Sequence, residues 1–197
     1  GWMCPGMPQT SNSFADSIGH IMCYGDGVYG GMFVSAMHSM AFFCNDIPML
    51  VEKSLKAIPS ESHYAQCIQD VIDSWKKDPS DWKKAWKSVE DKWAGTDICV
   101  PFHPFSIDAK INGAYTVIGL LYGEGDWGKT MEIAIRCGQD ADCNASTAAA
   151  ILGVFFGYSG IPMEWKSGLD SIDDTPFSHT KMTYEQTIQQ TLSFAKE

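Results

Sequence analysis

The spacing of apolar and polar residues along the chain predicts a succession of helices. Apolar or small residues at positions 32, 33, 36, 37, 40 and 43 recur with the period of a largely buried helix. The same period is found over residues 46–58, 64–75, 113–122 and 126–137, and a further helix is expected from Asn144 through Gly157. Alternating runs are almost absent, so the pattern predicts seven or eight helices and an all-α fold.

One of these helices carries a tryptophan stripe. Trp82, Trp86, Val89 and Trp93 stand at i, i+4, i+7 and i+11, with lysines elsewhere on the helix. Such a stripe could stack on sugars or bases, but this spacing is more typical of side chains that pack into a core. We therefore expect an amphipathic helix that Gly95 ends.

Three stretches depart from the buried-helix pattern. Residues 2–28 are rich in Gly, Pro, Ser and Asn, which predicts irregular backbone. Residues 99–107 contain two prolines and are expected to form an extended crossing. Thr183 and Gln186 form a capping box, which predicts a last helix.

Composition and charge narrow the class of protein. The 197 residues, 45% of them apolar, suffice for one domain over residues 1–197. The net charge of −10 opposes binding to nucleic acid or to an anionic membrane surface. The sequence shows no membrane span and no signal peptide, and it leaves the compartment open. The seven cysteines include no C-x-x-C pair, which favours free thiols.

Two aspartates precede a run of small residues in RCGQDADCNASTAAAILG. Asp140 and Asp142 are expected in the link between two helices, where residues i and i+2 of an extended segment point the same way. Two converging carboxylates suit Mg²⁺, Mn²⁺ or Ca²⁺. The alternative is that they only cap the next helix. The small residues favour the metal, because they allow close packing and would bring the carboxylates into a helical bundle, where charge needs compensation.

Two segments resemble the ADP-ribosylglycohydrolase family. GQDADCNASTAAAILG is similar to the family's second metal motif, G-x-D-[TA]-D-[TS], and GHIMCYGDGVYGGMFVSAM, residues 19–37, is similar to its S-H-x-x-x-G-x-Y-G-x-M-F segment. The order and spacing agree over most of the chain. The resemblance implies an orthogonal helical bundle that hydrolyses the glycosidic bond between ADP-ribose and an acceptor, with an ADP-ribosylated protein or an ADP-ribose-like small molecule as its partner.

The resemblance also implies roles for individual residues. Asp140 and Asp142 would be catalytic and would bind Mg²⁺ or Mn²⁺, with Cys143 as a third ligand, in a dinuclear site that is complete in the full-length parent and incomplete in this chain. The residues that would bind the substrate are His20, Gly25, Asp26, Gly27, Tyr29 and Gly30. The glycines would let backbone N–H groups approach the diphosphate.

Two departures from the family pattern leave alternatives open. Cys143 stands where the family has Thr or Ser, and a thiol is a poor ligand for Mg²⁺. The family's first metal motif, [ST]-D-[DE]-[TN], has no place in this chain, so we expect an N-terminally truncated domain, and an inactive fragment of the hydrolase is one alternative. Asp173, Asp174 and Thr175 imitate it but lie in a predicted turn. A non-catalytic module that binds ADP-ribose, or a structural domain, therefore remains an alternative.

Overall fold

A computed structural model describes residues 1–96 and 107–196 of the chain. All regular secondary structure in these residues is helical. The helices are α1 (Pro8–Gly19), α2 (Asp26–Ala41), α3 (Ile47–Leu55), α4 (His63–Lys77), α5 (Trp82–Trp93), α6 (Ala109–Gly123), α7 (Trp127–Cys137), α8 (Ala141–Phe156), α9 (Met163–Lys166) and α10 (Tyr184–Lys196). The described residues contain no strand, which confirms the predicted all-α fold. No helix within these ranges has the length and apolar character needed to cross a bilayer.

Helix α6 lies at the centre of the fold. Every residue from Lys110 to Gly123 is buried, and α6 packs against α2, α3, α4, α5, α7 and α8. A helix that is enclosed on all sides must be apolar or small on all sides, which the sequence INGAYTVIGLLYG satisfies. The ends of α6 therefore sit where several other helices begin or end.

Glycines bring α2, α4 and α6 into close contact around Tyr64. A Cβ atom on Gly113 of α6 would lie 2.1 Å from the Tyr64 hydroxyl oxygen, and one on Gly30 of α2 would lie 2.9 Å from Cε2 of the same ring. Tyr64 is only 1% exposed. The ring therefore occupies space that two absent side chains leave between neighbouring helices.

The prediction of irregular backbone over residues 2–28 was confirmed for residues 2–7 and 20–25 but was wrong elsewhere, because α1 spans Pro8–Gly19 and α2 begins at Asp26. The buried side of α1 is polar, and so it lacks the apolar period of a core helix. The side-chain nitrogen of Asn12 donates to the carbonyl of Ala57 over 3.0 Å, and the hydroxyl of Ser11 approaches that of Ser35 on α2. Hydrogen bonds hold this helix where an apolar stripe would otherwise do so.

Several local predictions were confirmed. Helix α5 has the predicted span, Trp93 is buried, and Trp82 and Trp86 pack against the core. The Thr183 backbone N–H donates to the Gln186 side chain over 3.0 Å, and the Gln186 N–H donates to the Thr183 hydroxyl over 3.3 Å, as a capping box requires. The extended crossing predicted for residues 99–107 lies almost entirely outside the described residues.

Replacing Gly113 with Ala should destabilise the fold, because the new Cβ atom would overlap the enclosed Tyr64 ring. We expect a loss of about 2–3 kcal/mol in the free energy of unfolding. The matched control is Gly31→Ala in α2, where nothing lies within 4 Å of the new Cβ atom. This control should be neutral or stabilising by up to about 1 kcal/mol. Urea unfolding followed by circular dichroism measures both, and equal losses would contradict the packing argument.

His38 should make stability depend on pH. Burial lowers the pKa of this half-buried residue to about 4, although the hydrogen bond of its Nδ1 atom to the Val34 carbonyl opposes the shift. Between pH 6.5 and 4 the unfolded chain then binds more protons at this position than the folded chain, so the free energy of unfolding falls as the pH falls. The loss attributable to His38 should reach about 2–3 kcal/mol. Urea unfolding at several pH values gives the free energy of unfolding as a function of pH. This free energy should depend less steeply on pH in His38→Gln than in the wild type, and an unchanged pH dependence would refute the assignment.

Candidate metal centre and adjacent cleft

A tight turn joins α7 to α8 and carries the aspartate pair. Helix α7 ends at Cys137; its C-cap residue Gly138 has a φ of 97°, which favours glycine, and Gln139 follows with a φ of 49°. The indole N–H of Trp86 donates to the carbonyl of Cys137 over 2.9 Å, immediately before this turn. Helix α5 therefore fixes the end of α7 from which the turn departs.

The buried amide of Asn112 on α6 fixes the other side of the turn. Its Oδ1 atom accepts the backbone N–H of Asp140 over 3.1 Å and the side-chain amide of Asn144 over 2.8 Å. Its Nδ2 atom donates to the Gln139 side chain over 3.1 Å and to the carbonyl of Asp108 over 2.9 Å. One side chain thus connects the first turn of α6 to the first turn of α8.

This geometry corrects the predicted start of α8. The helix begins at Ala141, so Asp142 and Cys143 lie in its first turn, and only Asp140 precedes it. Asn144 does not cap the helix, because it lies inside it and its side chain donates to Asn112. The two carboxylates are therefore positioned by a helix start and not by an extended link.

Asp140 occupies the N-cap position of α8, but its side chain does not cap the helix. Elsewhere in the described residues, the N-cap side chains of five helices accept backbone N–H groups; they are Asp46, Ser62, Asp81, Asp108 and Asp126. The carboxylate of Asp140 instead lies near the Cys143 thiol, with a carboxylate oxygen within 4.8 Å of Sγ. The capping interpretation therefore fails for Asp140, whose carboxylate has no backbone partner from its own helix.

Asp140, Asp142 and Cys143 form a cluster that could hold a cation. One ligand atom from each residue lies within 4.8 Å of the other two. Asp142 and Cys143 are exposed, and Asp140 is half-buried. The hydrogen bond to Asp140 and the negative charge of the two aspartates raise the pKa of the Cys143 thiol. The cluster thus concentrates negative charge at a point that solvent reaches, so the expectation that the small residues of α8 would bring both carboxylates into the bundle was wrong.

A cleft of about 540 Å³ opens where three helices begin. Its lining includes Asp26, His63 and Ala109, which are the first residues of α2, α4 and α6. The positive ends of three helix dipoles therefore face the same space, which favours an anionic group there. Asn112 lies one turn beyond Ala109, so this cleft and the acidic cluster both adjoin the start of α6.

The residues expected to bind the substrate divide into two groups. Gly25, Asp26, Gly27 and Tyr29 line the cleft. His20 is exposed at the end of α1, where its Nδ1 atom is 2.8 Å from the Asp16 carbonyl oxygen, and it is not among the residues that line the cleft.

Gly30 also lies outside this lining, and its close approach to the Tyr64 ring gives it a role in packing. Asp26 has a structural partner of its own, because one of its carboxylate oxygens accepts the backbone N–H of Tyr64 over 3.1 Å.

A buried ion pair at the cleft was not predicted from the sequence. The side chains of Asp108 and Lys110 are 7% and 3% exposed, and the ammonium of Lys110 contacts the carboxylate of Asp108. The Asp108 carboxylate also accepts the backbone N–H of Lys110 over 2.9 Å. An Asp two residues before a Lys at the start of an apolar helix was the available signal. The pair fixes the start of α6 beneath the cleft.

The other candidate residues do not join the cluster. Asp173 and Asp174 lie in turns, and the Thr175 backbone N–H donates to the Ile172 carbonyl over 2.9 Å, so the turn prediction for this segment was confirmed. His179 is exposed in a turn with a φ of 62°. His103 lies outside the described residues.

Comparison with known proteins gives one match. A family model described as ADP-ribosylglycohydrolase matches residues 2–191, which is nearly the whole chain. Neither the comparison with curated proteins nor that with solved structures found a match.

Replacing Asn112 with Ala should loosen the turn that carries Asp140. The change removes four hydrogen bonds and leaves partners inside the fold without their bonds, so we expect a loss of about 2–3 kcal/mol in the free energy of unfolding. Asn12→Ala is the matched control, because this buried asparagine makes one bond, to Ala57, and should cost about 1 kcal/mol. Hydrogen exchange should also quicken at the Asp140 amide in Asn112→Ala alone. An Asp140 amide that exchanges as slowly as in the wild type would contradict the assignment.

Proposed function

Because the chain belongs to the ADP-ribosylglycohydrolase family, we propose that it hydrolyses the glycosidic bond between ADP-ribose and an acceptor with the help of a divalent metal ion. The substrate would be an ADP-ribosylated protein or an ADP-ribose-like small molecule. Asp140 and Asp142 would be the catalytic and metal-binding residues. The observation that carries this proposal is that the carboxylate of Asp140 accepts no backbone N–H from its own helix and lies beside the carboxylate of Asp142.

The donor set fits a hard divalent ion in part. The two carboxylates supply the oxygen ligands that Mg²⁺ and Mn²⁺ favour, whereas the thiol of Cys143 does not suit Mg²⁺. Asp140 and Asp142 would hold the ion and would form one half of the dinuclear site that the family resemblance implies. When bound, such an ion orients oxygen groups of the substrate and activates water.

The carboxylates have a second task in this reaction. Cleavage of a ribosyl bond develops positive charge on the ribose, and nearby negative groups lower the energy of that charge. Asn112 holds the backbone N–H of Asp140 in place, so this carboxylate is positioned before the substrate arrives. Positioning of this kind avoids reorganisation at the moment of reaction.

The cleft supports an ADP-ribose substrate. The starts of α2, α4 and α6 face it, and their dipoles would favour the diphosphate. The carboxylate of Asp108 is already engaged by Lys110, which reduces its repulsion of an anion. Gly25 has a φ of 55° and no atom lies within 4 Å of the position of a Cβ there, so backbone at this edge is open to a ligand. Tyr29 would form a wall for the ligand.

A non-catalytic module that binds ADP-ribose is the second candidate function. Cys143 favours it, because a thiol replaces the hard oxygen ligand that the family has at this position. In that case the cleft would bind the nucleotide without hydrolysis. The two candidates differ in whether the carboxylates are needed for turnover and whether metal is needed for binding.

Asp140→Asn and Asp142→Asn should lower the release of ADP-ribose by about 100-fold or more, because each removes a negative charge and a metal ligand. Release from proteins modified on arginine or on serine can be followed by chromatography, with Mg²⁺, with Mn²⁺ and with a chelator. Asp46→Asn is the matched control, since Asp46 caps α3 and Asn caps a helix equally well. It should keep the wild-type rate within about twofold.

Calorimetry with ADP-ribose separates the remaining outcomes. Binding that requires metal and is lost in Asp142→Asn would support the hydrolase. Binding without metal, together with no release of ADP-ribose, would overturn the hydrolase in favour of the binding module. No binding under any condition would overturn both and leave a structural domain.

A further inference from the structure

The third donor at the start of α8 is a sulfur atom with access to solvent. Cys143 is exposed, and it lies in the first turn of the helix, one residue after Asp142. Its Sγ atom lies within 4.8 Å of a carboxylate oxygen of Asp140 and of one of Asp142. A cation that enters between the two carboxylates therefore meets the thiol as well.

Sulfur changes which cation such a cluster favours. Mg²⁺ takes oxygen ligands in near-ideal octahedral geometry and keeps much of its water, so a thiolate gains little by approaching it. Zn²⁺ accepts carboxylate and thiolate together and commonly uses three protein ligands and one water in open sites. Two carboxylates and one thiolate match that number and those types of donor.

We propose that Asp140, Asp142 and Cys143 bind Zn²⁺ in preference to Mg²⁺, with the thiolate of Cys143 as a direct ligand. The proposal rests on the proposed function for the place of the metal, but it names a different ion and a ligand particular to this chain. On binding, the thiol proton passes to solvent and a Zn–S bond forms.

The required movement is small. Donor atoms around a tetrahedral zinc ion are about 3.5 Å apart, given bonds of about 2.0 Å to oxygen and about 2.3 Å to sulfur. The three ligand atoms already lie within 4.8 Å of one another, so shifts of about 1 Å suffice. Asp142 and Cys143 are exposed side chains and can make such shifts by rotation, while Asn112 holds the backbone of Asp140.

The other cysteines that the structure describes are placed differently. Cys4, Cys67 and Cys137 are buried, and Cys44 is half-buried. Cys23 is exposed, but within the described residues the only group of His, Cys, Asp or Glu side chains spaced for a metal is the one with Cys143. Cys23 therefore provides a control for adventitious binding to an exposed thiol.

Cobalt provides a direct test, because Co²⁺ substitutes for Zn²⁺ and a Co–thiolate bond gives a strong near-ultraviolet absorption band. The full chain is titrated with Co²⁺ under a reductant that does not bind metals, and Zn²⁺ is then added as competitor. Mg²⁺ and Zn²⁺ affinities are measured by calorimetry on the wild type, Cys143→Ser, Asp140→Asn and Cys23→Ser. Circular dichroism confirms that each variant is folded.

We expect the band in the wild type and in Cys23→Ser, its displacement by one equivalent of Zn²⁺, and its loss in Cys143→Ser. The ratio of Zn²⁺ to Mg²⁺ affinity should exceed about 100 in the wild type and fall at least about tenfold in Cys143→Ser. A band that persists in Cys143→Ser, or a Mg²⁺ affinity equal to that for Zn²⁺, would overturn the proposal. If Mg²⁺ binds through Asp140 as tightly as Zn²⁺ and supports release of ADP-ribose, only the zinc assignment fails. If no metal binds, the metal-dependent function fails with it.

Discussion

The hydrogen bonds of the Asn112 side chain connect the core of this protein to the turn that carries the acidic cluster. Asn112 belongs to α6, which is buried along almost its whole length, and its amide holds the Asp140 backbone, the Gln139 side chain and Asn144. An amide that is satisfied on both its oxygen and its nitrogen fixes the relative position of two helix starts, which apolar contacts alone would allow to slide. The backbone of Asp140 is therefore fixed to the central helix α6.

The surrounding packing supports the same two helix starts. Tyr64 fills the space that Gly30 and Gly113 leave, and this holds α2, α4 and α6 together where their first turns meet the cleft. The indole N–H of Trp86 donates a hydrogen bond to the Cys137 carbonyl, which fixes the end of α7 before the turn. The core thus determines the position of both the cleft and the acidic cluster, although two of the three residues of that cluster, Asp142 and Cys143, are exposed.

The sequence predicted those parts of the fold whose signals are local. The tryptophan spacing of α5 and the capping box of α10 act within a few residues, so both could be identified without a structure. Helix α1 was missed because it buries Ser11 and Asn12, and its hydrogen bonds to distant partners replace an apolar stripe.

The site was predictable only in part for the same reason. The aspartate pair is visible as a motif, but its support comes from Asn112, which is 28 residues from Asp140 in the chain. Nothing near Asn112 in the sequence marks it, since a single Asn in an apolar helix could as well face solvent.

The core fixes the backbone of the acidic cluster but not the side chains that would bind a cation, and this difference has a chemical consequence. The backbone at the start of α8 is fixed by α6, whereas the side chains of Asp142 and Cys143 project into solvent and make few demands on packing. A substitution at position 143 can therefore change the set of ligand atoms without disturbing the helices that present them. An oxygen ligand there would suit Mg²⁺, and the thiol suits a softer ion, because ligand type and geometry decide the metal. In the proposed site, the fold would specify where a cation sits and residue 143 would decide which cation it is.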